Sequence, residues 1–183
     1  SRGQHIRSPW FGCACCPSNI CRFMPSIPGY VYARDSSNIY VNLFIQNDAE
    51  VEINGNKVQL TQVTNYPWDG NITITVNPAK AGTFGLALRI PGWARGAAVP
   101  GNLYHFLPDE NRPYTLLVNG RAAKYMLQNG YAIIQNNWKA GDRVDLSLPM
   151  PVREISANPL VAADRNRVSL QRGPLVYCIE WPD

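Results

Sequence analysis

The chain has 183 residues, a length that predicts about one domain with a short extra segment. Its 17 Lys and Arg against 13 Asp and Glu give a net charge of +4, spread along the chain, which is too weak to indicate nucleic-acid binding. A hydrophobic fraction of 45% excludes a disordered chain, and no apolar run approaches the ~20 residues that span a membrane.

The first 34 residues are predicted to be helical or irregular. The chain starts at Ser1 with neither an initiator Met nor a signal-peptide pattern, which indicates an excised piece of a longer protein. Pro17 to Met24 can form a short helix with Pro17 at its first position, where the missing N–H costs nothing. Cys16 would then be the N-cap residue with Cys15 before it, so the helix dipole would favour the thiolate form of both. The segment is too short to bury its own apolar side chains, which indicates that it belongs to a neighbouring domain.

From residue 35 to residue 183 the sequence predicts an antiparallel β-sandwich. Apolar and polar residues alternate in several short segments, the period of a strand with one buried face. Asn-Gly pairs at 54–55, 119–120 and 129–130 are typical of tight hairpins. About ten short strands with almost no helical periodicity favour two packed sheets. The strand candidates are Ile39–Ile45, Val51–Ile53, Val58–Leu60, Ile72–Val76, Phe84–Ile90, Thr115–Val118, Tyr131–Ile134, Arg143–Leu148, Val152–Ile155, Val168–Gln171 and Leu175–Glu180.

The cysteines are placed unevenly, because Cys13, Cys15, Cys16 and Cys21 lie within nine residues and Cys178 stands alone. Adjacent cysteines rarely form a disulfide with each other, and an odd total leaves at least one thiol, so a disulfide framework is not expected. Three interpretations stay open at this point: small buried hydrophobic residues, a metal site, or a nucleophile activated by a metal or by the helix terminus. The Cys13-x-x-Cys16 spacing suits metal ligands, and His5 or Cys21 could join them.

Several single residues receive structural interpretations. Cys21 is predicted to be a buried thiol, Cys178 a strand residue, and His5 and His105 structural or exposed, with His5 kept as a substrate contact. Arg89 and Asp142 are predicted to form a corner ion pair or turns. The aromatic residues Trp68, Trp93, Trp138, Tyr66 and Tyr104 could form a platform on which sugar rings stack. We favour the alternative that Trp68 and Trp93 fill the ends of the sandwich core.

A set of motifs, in order along the chain, carries a resemblance to a known enzyme family. The motifs are Trp10-Phe11-Gly12-Cys13, Cys15-Cys16-Pro17-Ser18-Asn19-Ile20, Pro28-Gly29-Tyr30-Val31-Tyr32, Tyr66-Pro67-Trp68, Arg89-Ile90-Pro91-Gly92-Trp93-Ala94, Trp138-x-x-Gly141-Asp142 and Gly173-Pro174-Leu175-Val176-Tyr177. They cover essentially the whole chain, which resembles the C-terminal part of glycoside hydrolase family 127, the β-L-arabinofuranosidase family once called a domain of unknown function. The resemblance implies a longer enzyme with an (α/α)6 barrel followed by β-sandwich material.

The resemblance also implies roles for the cysteine pair. Cys15 would be the nucleophile of a retaining glycosidase, and Cys15 and Cys16 would both bind zinc, which keeps thiols deprotonated at neutral pH. A glycosyl thioether at Cys15 would replace the usual glycosyl carboxylate. The acid/base glutamate, together with a further zinc-binding Glu and Cys, would lie upstream of Ser1. None of the glutamates in this chain is predicted to replace them: Glu50, Glu52, Glu110, Glu154 and Glu180.

On this basis residues 1–34 are predicted to be the tail of the catalytic barrel and residues 35–183 an accessory β-sandwich. The expected function is that of a fragment of a retaining glycoside hydrolase, inactive by itself, acting in the whole enzyme on β-L-arabinofuranosides or related plant glycans. Two alternatives are a non-catalytic carbohydrate-binding or interaction module and a zinc-stabilised structural module. Expected partners are the glycan substrate, the missing barrel, and a second copy of the chain through an exposed sandwich face. Glycan degradation suggests the periplasm or the cell exterior, with the cytoplasm as the alternative.

Overall fold

The protein is described here by a computed structural model that covers residues 15–107 and 112–177. Predictions for Cys13, Cys178, His5, Glu110 and Glu180 therefore lie outside the described residues. Helix α1 spans Cys15–Phe23, a 3-10 turn follows at Met24–Ser26, and helix α2 spans Pro28–Val31. Two further 3-10 turns occupy Gly92–Arg95 and Ala162–Asp164. No helix of the described residues is long and apolar enough to cross a membrane.

Short strands make up most of the rest of the described chain, which confirms the all-β prediction. Nearly all of the strand pairs are antiparallel, whereas the second strand and the sixth pair in parallel. The strands are β1 Tyr32–Arg34, β2 Asn38–Val41, β3 Asn47–Ile53, β4 Asn56–Thr64, β5 Asn71–Pro78, β6 Gly82–Arg89, β7 Tyr104–Leu107, β8 Thr115–Val118, β9 Arg121–Ala122, β10 Met126–Gln128, β11 Tyr131–Trp138, β12 Asp142–Ser147, β13 Val152–Ala157, β14 Val168–Arg172 and β15 Leu175–Tyr177.

Three sheets result from these pairings. The first has the order β1-β2-β6-β11-β10, the second β3-β4-β5-β12-β8-β9, and the third β15-β14-β13-β7. Buried side chains of the first two sheets form one continuous apolar core, as expected of a sandwich. Trp138 is fully buried in this core, and its indole Nε1 donates a hydrogen bond to the carbonyl oxygen of Phe84 at 2.9 Å.

All three Asn-Gly pairs form the hairpins that the sequence predicts. They connect β3 to β4, β8 to β9, and β10 to β11, and both residues of each pair have positive φ. Asn54, for example, has φ 51° and Gly55 has φ 72°. Positive φ at both central residues produces a turn whose twist matches that of the flanking strands, which is why this dipeptide predicts a hairpin well.

The structure differs from the predicted strands in two ways. The strand expected over Ile39–Ile45 ends at Val41, because the chain then leaves the first sheet and enters the second at Asn47. Four short strands, β1, β7, β9 and β10, were not predicted, and β1 lies within the first 34 residues, which were expected to be helical or irregular. All three residues of β10 are exposed, so alternation of apolar and polar residues does not mark this strand in the sequence.

The third sheet is joined to the sandwich by arginine side chains. Nη1 of Arg153 donates to the carbonyl oxygen of Trp93 at 3.0 Å, and its guanidinium carbon lies 3.3 Å from the ring centre of Phe106. Arg172 Nη1 donates to the carbonyl oxygen of Trp68 at 2.8 Å. The face of this sheet that carries Arg172 exposes Val152, Leu107, Val168 and Tyr177. Self-association through such a face stays a prediction.

Candidate functional site

The cysteine pair lies in the first turn of α1. Both thiols are exposed, and their Sγ atoms are 3.8 Å apart, so the two cysteines are not joined by a disulfide. Ser18 Oγ donates a hydrogen bond to the carbonyl oxygen of Cys15 at 3.1 Å within this turn. Cys15 and Cys16 therefore present two neighbouring sulfurs at the surface of the described chain.

The helix begins earlier than the sequence predicts. Cys15 and Cys16 are its first two residues, so the assignment of Cys16 as N-cap is wrong. Pro17 becomes the third residue, which is tolerated because the N–H groups of the first turn have no acceptor within the helix. The early start brings both sulfurs onto one rigid turn, whereas an N-cap arrangement would leave Cys15 in the preceding loop.

The separation of the two sulfurs can be compared with the geometry of a metal site. Zinc is bound tetrahedrally with Zn–S distances of about 2.3 Å, which places two thiolates on one ion about 3.8 Å apart. The observed Sγ–Sγ distance of 3.8 Å fits this value without any rotation of the side chains. Among the described residues no group of three or more His, Cys, Asp or Glu side chains could hold a metal. Cys15 and Cys16 thus fit half of a four-coordinate zinc site.

The surroundings of the pair are open. None of the residues of α1 is buried, and its apolar side chains Ile20 and Phe23 are 61% and 57% exposed. Cys21 is also exposed, so the prediction of a buried thiol is wrong. The reason is that no other described element covers the helix, whereas a buried thiol needs a packed neighbour.

The described glutamates lie at exposed positions on strands. Glu50 forms an ion pair with Lys57 at 2.9 Å on the outer side of the second sheet, and Glu52 and Glu154 are exposed strand residues. Asp142 accepts hydrogen bonds from Asn119 Nδ2 at 2.9 Å and from a backbone N–H, which agrees with its predicted role in a turn. Within the described chain Asp142 forms no ion pair with Arg89.

The five aromatic residues considered as a sugar platform are dispersed. Trp138 is in the core, and Tyr104 OH donates to Asp164 Oδ2 at 2.8 Å beside the third sheet. Trp68 is 64% exposed in the connection between β4 and β5, so the prediction that it fills the core is wrong. Trp93 and Tyr66 are half-buried and pack against the core.

Tyr66 and Trp93 also line a cleft of about 540 Å³ at one end of the sandwich. Its walls come from the segments that follow β2, β4 and β6, including the 3-10 turn Gly92–Arg95. The residues that line it are Asn42, Leu43, Phe44, Tyr66, Arg89, Pro91, Gly92, Trp93, Arg95, Ala97, Ala98, Val99 and Pro100. We refer to it as the arginine cleft. The sequence does not reveal this cleft, because its walls are distant along the chain, although two of the quoted motifs meet there.

The arginine cleft carries positive charge. Arg89 and Arg95 line it, and no acidic side chain is among its described walls. Arg95 Nε donates to the carbonyl oxygen of Ile90 at 3.1 Å, which orients the guanidinium. Burial raises the pKa of the Tyr66 hydroxyl, and the side chain of Trp93 and then the charge of Arg89 partly oppose that shift. Tyr66 is therefore a neutral hydrogen-bonding group at ordinary pH, in a cleft that two arginines also line.

Comparison with known proteins places the chain among glycoside hydrolases. The sequence model of the β-L-arabinofuranosidase GH127 middle domain matches residues 38–150, and that of the glycoside hydrolase family 127 C-terminal domain matches residues 152–183. A non-reducing end β-L-arabinofuranosidase of Bifidobacterium longum is 39% identical over 184 residues, covering 97% of this chain.

Solved structures agree with these matches. A GH127 β-arabinofuranosidase superposes on the whole chain with a TM-score of 0.92 and 46% identity. A GH127 β-L-arabinofuranosidase from Geobacillus stearothermophilus T6 superposes on 97% of the chain with a TM-score of 0.81 and 41% identity. The chain spans only 25% of the Bifidobacterium protein, and 29% and 26% of the two solved chains.

Proposed function

The chain belongs to glycoside hydrolase family 127, and from this premise we propose that it carries the nucleophile of a retaining β-L-arabinofuranosidase. The relatives are described as β-L-arabinofuranosidases, which supports that substrate class. The observation that carries the proposal is the exposed Cys15–Cys16 pair with its Sγ atoms 3.8 Å apart. Cys15 is assigned as the nucleophile, and Cys15 and Cys16 as zinc ligands.

The proposed reaction has two displacements at the anomeric carbon. The Cys15 thiolate attacks that carbon, a C–S bond forms, and the glycosidic C–O bond breaks while an acid protonates the leaving oxygen. Water then attacks the same carbon and gives a proton to the conjugate base of that acid, the C–S bond breaks, and both the thiolate and the acid are restored. Two inversions give overall retention of configuration.

Cys16 acts in this proposal by holding its neighbour. When zinc is bound, both sulfurs are kept as thiolates at neutral pH. We propose that their position on one helical turn restricts the Cys15 side chain. A restricted side chain loses less conformational entropy when its sulfur attacks the sugar. Cys16 is thus a ligand and a positioning residue, and Cys15 is the group that touches the sugar.

The acid/base group and the remaining zinc ligands are proposed to come from outside these 183 residues. The described glutamates support this, because Glu50 is paired with Lys57 and Glu52 and Glu154 lie exposed on strands. The 183-residue chain by itself is accordingly proposed to be inactive. Hydrolysis of an aryl β-L-arabinofuranoside by this chain alone, lost on Cys15→Ser, would contradict the proposal.

The nucleophile is tested in the whole protein that carries this sequence. Cys15→Ala is expected to reduce kcat on an aryl β-L-arabinofuranoside on the order of 10⁴-fold or more, as loss of a covalent nucleophile does in other hydrolases. Cys21→Ala is the matched control, since Cys21 is an exposed thiol of the same helix and should leave kcat unchanged. A fully active Cys15→Ala enzyme would eliminate the thiol mechanism.

Zinc binding has a readout that does not depend on activity. Native mass spectrometry of the 183-residue chain with added Zn²⁺ should show a bound ion that Cys15→Ser and Cys16→Ser each weaken and Cys21→Ser does not. Equal zinc uptake by all of these variants would show that the pair is not the metal site.

A further inference from the structure

We propose that the arginine cleft binds a sugar that bears a carboxylate, a uronic acid residue of the glycan on which the whole protein acts. The inference rests on the proposed function in taking a glycan as the ligand. It adds a second binding site, formed by the sandwich itself and separate from the thiol pair. Four properties of the cleft favour such a ligand: its size, its charge, its aromatic walls and its position.

The size of the cleft suits a sugar unit. Its volume of about 540 Å³ lies within the roughly 300–1,000 Å³ that small-molecule sites occupy. Three separate connections of the sandwich converge to form it, after β2, β4 and β6. A concave site built at the ends of rigid strands is held in shape by the core beneath it, because Phe44 and Ile90 beside the cleft are buried.

The charge of the cleft points to an anionic ligand. Arg89 and Arg95 line it, and neither forms an ion pair with a described residue. Arg95 is tethered through Nε to the carbonyl oxygen of Ile90, an arrangement that orients its guanidinium before any ligand arrives. A guanidinium binds a carboxylate through two parallel hydrogen bonds, which gives geometric specificity that a neutral hydroxyl does not have.

The aromatic walls select a sugar over a simple anion. Tyr66 and Trp93 are half-buried in the cleft wall, and the Tyr66 ring lies edge-on to Phe44 with ring centres 5.9 Å apart. That contact holds the Tyr66 ring in place. Aromatic side chains present an apolar surface with a polar tip, which suits a ligand that has both C–H faces and hydroxyl groups. The combination fits the ring of a uronic acid together with its carboxylate.

The cleft borders the helical segment that carries the thiol pair. Asn42 lines the cleft, its backbone N–H donates to the carbonyl oxygen of Val31 at 2.9 Å, and its Nδ2 donates to that of Tyr30 at 3.2 Å. Tyr131 OH, from strand β11 of the first sheet, donates to Asn42 Oδ1 at 2.8 Å. A sugar in the cleft would therefore lie against the junction between α2 and the first sheet.

The test compares two ligands that differ in the carboxylate alone. Titration calorimetry of the 183-residue chain is carried out with a trisaccharide of galacturonic acid and with the corresponding trisaccharide of galactose. The acidic trisaccharide should bind, and its affinity should fall as salt is raised because ion pairs are screened. Equal affinity for both trisaccharides, or no binding of the acidic one, would overturn the proposal.

Variants locate the binding. Arg89→Gln and Arg95→Gln should each weaken binding of the acidic trisaccharide at least about tenfold, the loss expected for one charge-assisted hydrogen-bonded pair. Arg121→Gln is the matched control, because Arg121 is an exposed strand residue outside the cleft. Unchanged affinity in both cleft variants would place the ligand elsewhere and refute the assignment.

The same experiment separates this inference from the proposed function. Cys15→Ala should leave the affinity for the acidic trisaccharide unchanged, since the thiol takes no part in the cleft. An active Cys15→Ala enzyme would end the thiol mechanism without altering the binding result. Loss of binding in the arginine variants would support the ligand site in the cleft and would leave the test of the thiol mechanism unaffected.

Discussion

The helical segment 15–31 and the β-sandwich differ in how they bury apolar side chains. The sandwich encloses a continuous core in which Leu86, Ile74 and Trp138 have no exposed surface. In the helical segment Val31 is the one buried residue, and Phe23, Met24 and Tyr30 are each more than half exposed. Hydrophobic burial is the dominant stabilising contribution to a fold, so the stability of this chain resides in the sandwich.

The contrast matters for function, because the proposed nucleophile is in the region that lacks a core. A catalytic sulfur must be held in a defined direction, and in the described chain the first turn of α1 is the element that carries both thiols. The sandwich contributes a buried core and the arginine cleft, which we propose as a second site. Substitutions in the two regions should therefore affect different properties, stability in one and chemistry in the other.

The largest expected effect is on the core. Trp138→Ala should lower the free energy of unfolding by about 3–5 kcal/mol, because it leaves a cavity and an unpaired Phe84 carbonyl oxygen. Trp68→Ala is the matched control, since Trp68 is 64% exposed and should change stability by less than about 0.5 kcal/mol. Urea denaturation followed by circular dichroism measures both. Similar losses in the two variants would contradict the division between core and surface.

A smaller, pH-dependent effect is expected where the two regions meet. The Asp35 carboxylate, in the turn between β1 and β2, accepts hydrogen bonds from the Ser37 N–H, the Tyr40 hydroxyl and Asn38, which lower its pKa to about 2. An unfolded Asp has a pKa of about 3.9. The stabilisation is thus present above about pH 3.9 and is lost as the pH falls through about 2.

Comparison of the unsubstituted chain, the parent, with Asp35→Asn tests whether the ionised Asp35 carboxylate stabilises the folded state. The parent should be the more stable of the two at pH 7, and the difference should disappear towards pH 2, where the carboxylate is protonated. Urea denaturation at several pH values gives the difference, and NMR titration of the side chain gives the midpoint. A difference that grows on acidification would show that these hydrogen bonds do not favour the ionised form.

The smallest effect is expected in α1. Phe23→Ala should change the free energy of unfolding of the 183-residue chain by less than about 0.5 kcal/mol, because the side chain is 57% exposed and lies on a helix with no buried residue. Urea denaturation followed by circular dichroism measures this change, and Trp138→Ala is the comparison with the largest expected loss of stability. A loss of several kcal/mol would mean that α1 packs on the sandwich in solution and contributes to the stability of the fold.

Local sequence features predicted much of the fold. Alternation of apolar residues identified strands such as β5 and β12, and the Asn-Gly pairs located three hairpins. These features depend on residues close together in the chain, where side-chain direction and allowed φ values determine the outcome. The same is true of the cysteine pair, because adjacency and a following Pro already place two thiols at a helix start. The domain boundary at residues 34 and 35 stays a prediction.

Other features depended on contacts between distant residues. Trp68 and Trp138 are both tryptophans next to strands, yet one is exposed and the other fully buried, and only the packing of two sheets separates them. Cys21 was predicted to be buried because its helix turn was expected to face a core, whereas burial requires a neighbouring element that the described chain does not place there. The parallel pairing of β2 with β6 joins segments more than 40 residues apart.

The sequence by itself therefore determined the strand-rich class, the hairpins and the twin thiols, because each follows from the chemistry of a few neighbouring residues. Tertiary structure alone decided the Sγ–Sγ distance of 3.8 Å and the meeting of Tyr66, Arg89 and Arg95 in one cleft. A distance between side chains depends on the helix turn and rotamers that the folded chain selects, and a cleft depends on which strand ends the sheets bring together. Neither the sulfur separation nor the composition of the cleft can be read from the order of residues. Both depend on many contacts that together select one packed arrangement.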